Sequence, residues 1–217
     1  MTISSYHANG RGYGSHQAIV ELVTPNSDVL DVGCASGFLM SQLEESKECR
    51  CVGIEPDLYS AEVARSNGFT VLGQDAVSAF ETLESSEKFD QIIFGDVLEH
   101  MIDPLTVLSK SLDLLRPSGA VIVSLPNIVG PRGRVPTTLG IWRYHESGVF
   151  DRTHLRFFSV PTGRELMINA GFRIEQEIFV GPLTTLGGRP FRRLTSFRPN
   201  LLANQMIFLA LSSSAVN

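Results

Sequence analysis

Three cysteines in 217 residues, Cys34, Cys49 and Cys51, are too few and too close together for a disulfide framework, and none shows the C-x-x-C spacing of a zinc site. They read as free thiols, and a cytoplasmic location is expected. No apolar run approaches the ~20 residues that cross a bilayer, so no transmembrane helix is expected. Met1–His7 has no basic region leading into an apolar stretch, so no secretory leader is expected either. Lysine is missing altogether from Pro126 to Asn200, where 11 arginines stand against 5 acidic residues. The remainder carries 7 basic and 18 acidic residues, so a local balance of +6 sits inside a chain of net charge −5. The net charge argues against a general nucleic-acid binder. The arginines suit bidentate contact with phosphate or carboxylate, with ordinary surface arginines as the plainer account.

With 43% hydrophobic and 19% charged residues, the chain reads as a soluble globular protein of one domain, 1–217, long enough to bury a core. Its organising stretch is Val29-Leu30-Asp31-Val32-Gly33-Cys34-Ala35-Ser36-Gly37, followed by the helix formers Phe38 to Glu44. That is strand, tight turn, helix. Glycine permits positive φ and close backbone approach, and the helix start presents unpaired N–H groups. A nucleotide-like cofactor site is one reading and an ordinary glycine-containing turn the other.

The rhythm continues downstream. A helix is expected over Ser15–Val23, then strands over Val29–Val32, Cys51–Ile54, Phe69–Leu72, Gln91–Phe94 and Ala120–Leu125. Helices fall between them, over Phe38–Ser46, Leu58–Ser66, Ala76–Leu83 and Asp103–Leu115, the last with an Asp-Pro start. Such alternation implies a parallel sheet with helices on both faces and ligands at the carboxyl ends of the strands. The rhythm stops at Pro126. Residues 126–161, rich in Gly, Pro, Arg and aromatics, read as a functional loop inserted after the fifth strand. A helix over Thr162–Ala170, a strand from Gly171 to Val180, an arginine-rich amphipathic segment over Arg189–Leu202 and a strand over Gln205–Leu211 complete the chain. The arginine-rich segment could lie on a membrane surface, or serve as a helix covering the last hairpin.

Three acids, Asp31, Glu55 and Asp75, fall at or just past successive strand ends, and Asp96 follows the fourth strand. Any one could be a helix N-cap. Four at one sheet edge point to a ligand. Glu55 lies 18 residues beyond Gly37, where an acid takes both hydroxyls of a ribose. Asp96, Glu99 and His100 would share a face if they form a helical turn. His100 could act as a general base, or the three could hold a divalent cation.

The turn lacks the GxGxxG of nicotinamide enzymes. Gly33-Cys34-Ala35-Ser36-Gly37, with Asp31 two residues before its first glycine, resembles the first motif of class I S-adenosylmethionine-dependent methyltransferases, with Ala35 replacing the middle glycine. Gly53-Ile54-Glu55-Pro56, Gln74-Asp75-Ala76, Phe89-Asp90-Gln91-Ile92-Ile93 and Leu114 to Gly119 extend the resemblance over Val29–Leu125. It implies a doubly wound, Rossmann-like, seven-stranded, mostly parallel sheet with an antiparallel last strand and a lid insertion after the fifth strand. S-adenosyl-L-methionine is the implied cofactor. Asp31 would orient its methionine ammonium, and Gly33, Cys34, Ala35 and Gly37 would line methionine and ribose. Glu55 would bind the ribose hydroxyls, Pro56 would lie against the adenine, and Asp75 with the backbone of Ala76 would meet the adenine amino group.

Asp96-Val97-Leu98-Glu99-His100 looks like the E-x-x-E-H stretch that serves a metal in ubiquinone-pathway O-methyltransferases and small-RNA 2′-O-methyltransferases. With Asp96 in the first acidic place, the expectation here is no metal: Asp96 touches the cofactor and Glu99-His100 close the pocket. Asp151-Arg152-Thr153-His154-Leu155-Arg156-Phe157-Phe158 resembles a segment of methyltransferases in bacterial glycan and polysaccharide pathways. It makes 126–161 an acceptor-binding lid, with His100 or His154 as the base. The expected reaction is O-methylation of a small-molecule acceptor, a sugar or glycan precursor with an anionic group for the arginines. Nucleic acid is not an expected partner, and peripheral membrane contact is the further partner considered. The alternatives are a non-catalytic cofactor-binding module, an RNA 2′-O-methyltransferase and, last, a nicotinamide oxidoreductase.

Overall fold

The computed structural model describes residues 14–83, 88–182 and 188–213. Met1–His7, read above for a leader, lies outside the described residues, as do the side chains of 188–192. The apolar runs become the strands β1 (Asp28–Val32), β2 (Arg50–Ile54), β3 (Thr70–Leu72), β4 (Phe89–Gly95) and β5 (Leu115–Pro126), joined on the β5 side by β6 (Phe172–Val180) and β7 (Gln205–Ser212). The sheet order is β3-β2-β1-β4-β5-β7-β6. Pairings among β1 to β5 are parallel, and β7 runs antiparallel to both β5 and β6. Alternate strand residues feed two separate cores. Leu30, Val32, Ile92, Phe94 and Phe208 face one with Phe80 and Phe89. Val29, Ile93 and Ile207 face the other with Ile19, Met40 and Leu43.

The strand order reverses between β1 and β4, and that switch point opens the ligand crevice of a doubly wound sheet. Helices α1 (Ser15–Leu22), α2 (Phe38–Lys47), α3 (Leu58–Ser66), α4 (Ala76–Leu83) and α5 (Pro104–Lys110) flank the parallel strands, and α7 (Val160–Asn169) precedes β6. Asp57 caps α3 by accepting from the Ser60 N–H at 2.8 Å, and Asp103 caps α5 from the Thr106 N–H at 3.1 Å. The helix expected to run to Leu115 stops earlier, giving way to a 3-10 turn over Ser111–Leu114. Arg116 explains the early start of β5. Its guanidinium reaches Asp28 at 2.5 Å and Asp90 at 2.6 Å, which draws the Arg116–Gly119 turn down beside the feet of β1 and β4.

The insertion is not all loop. Between β5 and α7 it contains α6 (Pro131–Thr138), which Pro131, Gly133 and Pro136 disguise in the sequence. Pro131 suits a first helical position, while Pro136 removes an interior donor. What holds α6 is tertiary. The Arg132 N–H donates to Asn204 Oδ1 at 3.0 Å and Arg134 Nη2 to the Asn200 carbonyl at 2.8 Å. Buried Asn127 donates to the Ala203 carbonyl at 2.8 Å. The arginine-rich segment forms α8 (Gly188–Phe197) and α9 (Pro199–Leu202). Helix α8 packs against β6 with Thr195 buried and leaves Leu194 and Phe197 exposed, as α9 leaves Leu201. Among the described residues no helix is long and apolar enough to cross a membrane.

Gly130 marks the closest approach of lid and body: a Cβ there would stand 2.0 Å from the Ala203 carbonyl oxygen. Because that neighbour is backbone, Gly130→Ala is expected to destabilise the protein by about 1–3 kcal/mol. A lower denaturation midpoint with unchanged m value checks this.

Candidate functional site

The turn after β1 takes three left-handed residues within five. Gly33 has φ 80°, Ala35 φ 48° and Gly37 φ 83°. Gly33 is required twice over, because a Cβ would also lie 2.7 Å from Val97 Cγ2. The N–H groups of Gly33 and Cys34 donate to the Ile54 carbonyl at 2.8 and 3.1 Å, stitching the turn to the end of β2. Ala35 stands where the related motif has glycine and keeps glycine's conformation, at a cost of about 1–2 kcal/mol. Glu55 supplies the compensation. Its Oε2 accepts from the Ala35 N–H at 2.9 Å and its Oε1 from the Asp57 N–H at 2.9 Å. A charged hydrogen bond of this kind contributes about 1.5–3 kcal/mol. Glu55 is half-buried, and each of its oxygens keeps acceptor capacity beyond these two bonds.

Asp31 is 3% exposed. Burial, with the charge of Glu55 adding to it, pushes its carboxyl up to about 7. Cys34 is buried beside the same two acids, and burial with their charge pushes its thiol far above the usual range, so it lines the turn without acting as a nucleophile. Pro56 is exposed beside Glu55. Asp75 is exposed and caps α4: Oδ1 accepts from the N–H groups of Val77 and Ser78 at 3.0 and 3.1 Å, and Oδ2 from Ser78 Oγ at 2.8 Å. Ala76 opens that helix.

Asp96 also has a left-handed backbone, with φ 56°. Its Oδ1 accepts from Ser124 Oγ at 2.8 Å and from Gln205 Nε2, and its Oδ2 faces Ser15 Oγ at 3.5 Å. These three partners come from β5, β7 and α1, and the sequence reading contains none of them. The Gly95–Ser124 register of β4 and β5 is the signal that would have found Ser124. The carboxylate is therefore turned toward the sheet. Glu99 and His100 sit on the 3-10 turn Leu98–His100 and meet His154 of the lid instead.

The lid reaches them through backbone. The N–H groups of Leu155 and Arg156 both donate to the Glu99 carbonyl, at 2.8 and 3.0 Å. The His100 and His154 rings stand 4.8 Å apart, edge to face. His100 Nδ1 lies 3.2 Å from the Thr153 carbonyl, which can only accept, and 3.0 Å from Thr153 Oγ1, an arrangement that turns Nδ1 to the lid backbone as a donor and leaves Nε2 outside this contact. Burial, followed by the nearby His100, lowers the pKa of His154 and keeps that imidazole neutral at neutral pH. Trp142 packs edge-on against Phe150 at 4.8 Å and Phe157 at 5.7 Å, folding the lid on itself.

The strand order, the glycine turn after β1 and the acid ending β2 define a class I methyltransferase fold. The chain belongs to the methyltransferase-domain family, whose profile matches residues 16–177. The ubiquinone biosynthesis O-methyltransferase of Haemophilus ducreyi is 32% identical over 107 residues, 46% of this chain and 45% of that protein. The tRNA U34 carboxymethyltransferase of Nautilia profundicola is 32% identical over 113 residues, 48% of this chain and 36% of that protein. The match thus spans less than half the length of these curated relatives. A SAM-dependent methyltransferase from Archaeoglobus fulgidus shares the fold with a TM-score of 0.66 at 16% identity over 90% of both chains.

Two outcomes follow from the turn. The Asp31 pKa lies above its ordinary 3.8, so between about pH 4 and 7 the folded protein keeps a proton that the unfolded chain has released. Its contribution to stability is fully present below that window and is lost as pH rises through it. Denaturant melts across the window should show a shallower fall for Asp31→Asn than for the wild type. Ala35→Gly should relieve the left-handed strain against a smaller gain in unfolded-chain freedom, stabilising the protein by up to about 1 kcal/mol in the same melts.

Proposed function

We propose that this chain transfers a methyl group from S-adenosylmethionine to a hydroxyl of a small-molecule acceptor in the cytoplasm. The acceptor class is a sugar or glycan precursor carrying phosphate or carboxylate. The observation that carries the reading is the pairing of buried Asp31 with Glu55 at the ends of adjacent strands, across a turn held in glycine-like geometry. Those residues fit the cofactor. Asp31, unpaired with any cation among the described residues, takes the methionine ammonium. The turn from Gly33 to Gly37 follows the methionine and ribose, and Glu55 takes the ribose hydroxyls. Pro56, Asp75 and the Ala76 backbone border the adenine, and Asp96 stands at the methyl end.

When bound, the cofactor supplies a sulfonium-activated methyl group for in-line displacement. Transfer to an acceptor oxygen would exchange the C–S bond for a C–O bond, with the electron pair left on sulfur. The chain's part is to position the acceptor and receive its proton. His100 Nε2 and the neutral imidazole of His154 are the groups that can receive it. The lid, tied to the Glu99 carbonyl, keeps water out. Arg132 and Arg143, both exposed on the lid, suit an anionic group on the acceptor. Arg193 and Arg198 beside exposed Leu194, Phe197 and Leu201 add a face suited to an anionic membrane surface.

Calorimetry with S-adenosylhomocysteine tests the cofactor assignment. We expect saturable binding with proton release below about pH 7, seen as a buffer-dependent heat, because the arriving ammonium ionises Asp31. Glu55→Ala should weaken binding by roughly 10–100-fold, the equivalent of one or two charged hydrogen bonds. The absence of binding heat would sink the assignment. Labelled methyl groups from S-adenosylmethionine, traced into pools of sugars, phenols and RNA, identify the acceptor; label in RNA alone would overturn the small-molecule reading.

A further inference from the structure

Trp142 is the chain's only tryptophan, and it is 47% exposed although it is firmly held. Phe150 and Phe157 meet the indole at 4.8 and 5.7 Å, both at steep angles, so they fix its tilt without a parallel stack. The backbone on either side is pinned. The Ile141 N–H donates to the Pro136 carbonyl at 2.8 Å, the His145 N–H to the Phe150 carbonyl at 2.9 Å, and the Arg152 N–H to the His145 carbonyl at 3.0 Å. Tyr144, in the same short span, is 57% exposed. An indole held half-open in this way is a contact surface whose ordering cost is already met. Its neighbours tie it to the acceptor end. Phe157 also packs on His154 at 6.4 Å and His154 on His100 at 4.8 Å, so a chain of rings runs from Trp142 to the two histidines that can receive the acceptor proton. Of the five arginines in 126–161, three are engaged: Arg134 donates to the Asn200 carbonyl, Arg156 to the Ile102 carbonyl, and Arg152 pairs with Glu146. Arg143, between the two exposed aromatics in sequence, is exposed and has no side-chain partner among the described residues.

We propose that Trp142 and Arg143 form a subsite for the ring of an anionic pyranoside, with the indole against the ring's C–H face and the guanidinium on its carboxylate or phosphate. One face of a pyranose carries polarised C–H groups, which suit the negative face of an aromatic ring, while its hydroxyl rim keeps its water. Such a ligand fits an apolar platform on one side and solvent on the other, and half-exposed Trp142 beside Tyr144 offers that. A planar phenol is apolar on both faces and is better served by a closed slot that buries both. A nucleobase also stacks on an open indole, but its strand draws affinity from many phosphate contacts, which a single unengaged guanidinium beside the indole in a chain of net charge −5 does not supply. Arginine's planar fork matches one carboxylate or one phosphate bidentately. Phe157 stands between the platform and His154, so the acceptor spans both places, its reacting hydroxyl at the histidines and its anionic ring over the lid. Trp142 and Arg143 thereby select the acceptor without touching the reacting atoms. The subsite rests on the methyl-transfer reading for the reaction it serves, and its occupancy is measured without turnover.

The test is titration of the full chain, with and without S-adenosylhomocysteine, by methyl glucuronide, methyl galacturonide and glucose 6-phosphate. Because Trp142 is the only tryptophan, its emission reads the subsite directly. A saturable shift to shorter wavelength is expected with the uronides or with the phosphate, and the stronger arm identifies the anionic group. Methyl glucoside, which lacks the charge, should bind about tenfold more weakly, the equivalent of one charged hydrogen bond. Saturation-transfer NMR with the same sugars reads the variants. Trp142→Ala should weaken binding about tenfold, and Trp142→Phe, which keeps a ring, should stay within about threefold of the wild type. Arg143→Gln should erase the preference for the charged sugar and leave methyl glucoside bound as before. That surface variant keeps the test decisive if Trp142→Ala loosens the lid. No saturable response to any of the three anionic sugars, equal affinity for charged and uncharged sugar, wild-type affinity in Trp142→Ala, or a stronger response to catechol or to a short uridine-rich RNA would overturn the proposal. Normal S-adenosylhomocysteine binding in the same preparation would confine that failure to the subsite. Sugar binding without S-adenosylhomocysteine binding would instead sink the methyl-transfer reading and leave the subsite standing.

Discussion

Two carboxylates that repel each other set the terms for this molecule. The parallel register of β1 and β2 aligns Asp31 with Gly53, so Glu55 follows two residues further along the neighbouring strand, close enough for its charge to act on Asp31. Glu55 escapes the cost by bonding backbone N–H groups of the turn, while Asp31 is buried and meets its cost by holding a proton. The turn geometry, the left-handed Ala35 and the stitching to Ile54 all depend on this division of labour. The free protein thus stores an unfavourable arrangement at the end of β1, of the kind that clusters at functional sites.

The lid obeys a different constraint. Its backbone groups have few regular partners of their own, so several are satisfied by the body: the Glu99 carbonyl accepts from the Leu155 and Arg156 N–H groups, Asn200 from that of Val160 and Asn204 from that of Arg132. Side chains follow backbone. Once Leu155 and Arg156 are bonded to Glu99, His154 has little choice but to lie against Glu99 and His100. A segment that looks loose in composition is fixed where it crosses the site.

What the sequence discloses and what it conceals divide along range. The strands, the turn and the acids at strand ends are legible because apolar runs, glycine placement and chain spacing are local signals. Helix α6 is concealed because its own residues argue against it and its support comes from Asn200 and Asn204. Asp96 reads as a neighbour of Glu99 by spacing, yet its partners Ser124 and Gln205 lie 28 and 109 residues away. The meeting of Glu99, His100 and His154 is equally a product of long-range folding. Ala35 is an intermediate case: its departure from the motif is visible at once, but only the backbone angle shows that alanine has accepted glycine's conformation.

The position of β7 bears on how the chain is made. It is the last strand in sequence, yet it lies between β5 and β6, and Gln205 at its start reaches Asp96. During synthesis β6 emerges first and has nowhere to dock, while the apolar edge of β5, from Ala120 to Leu125, stands open to any passing strand. The nascent chain therefore carries a sticky, half-built sheet until β7 emerges. Closure of the sheet and completion of the Asp96 network are then one event, made when β7 enters between β5 and β6.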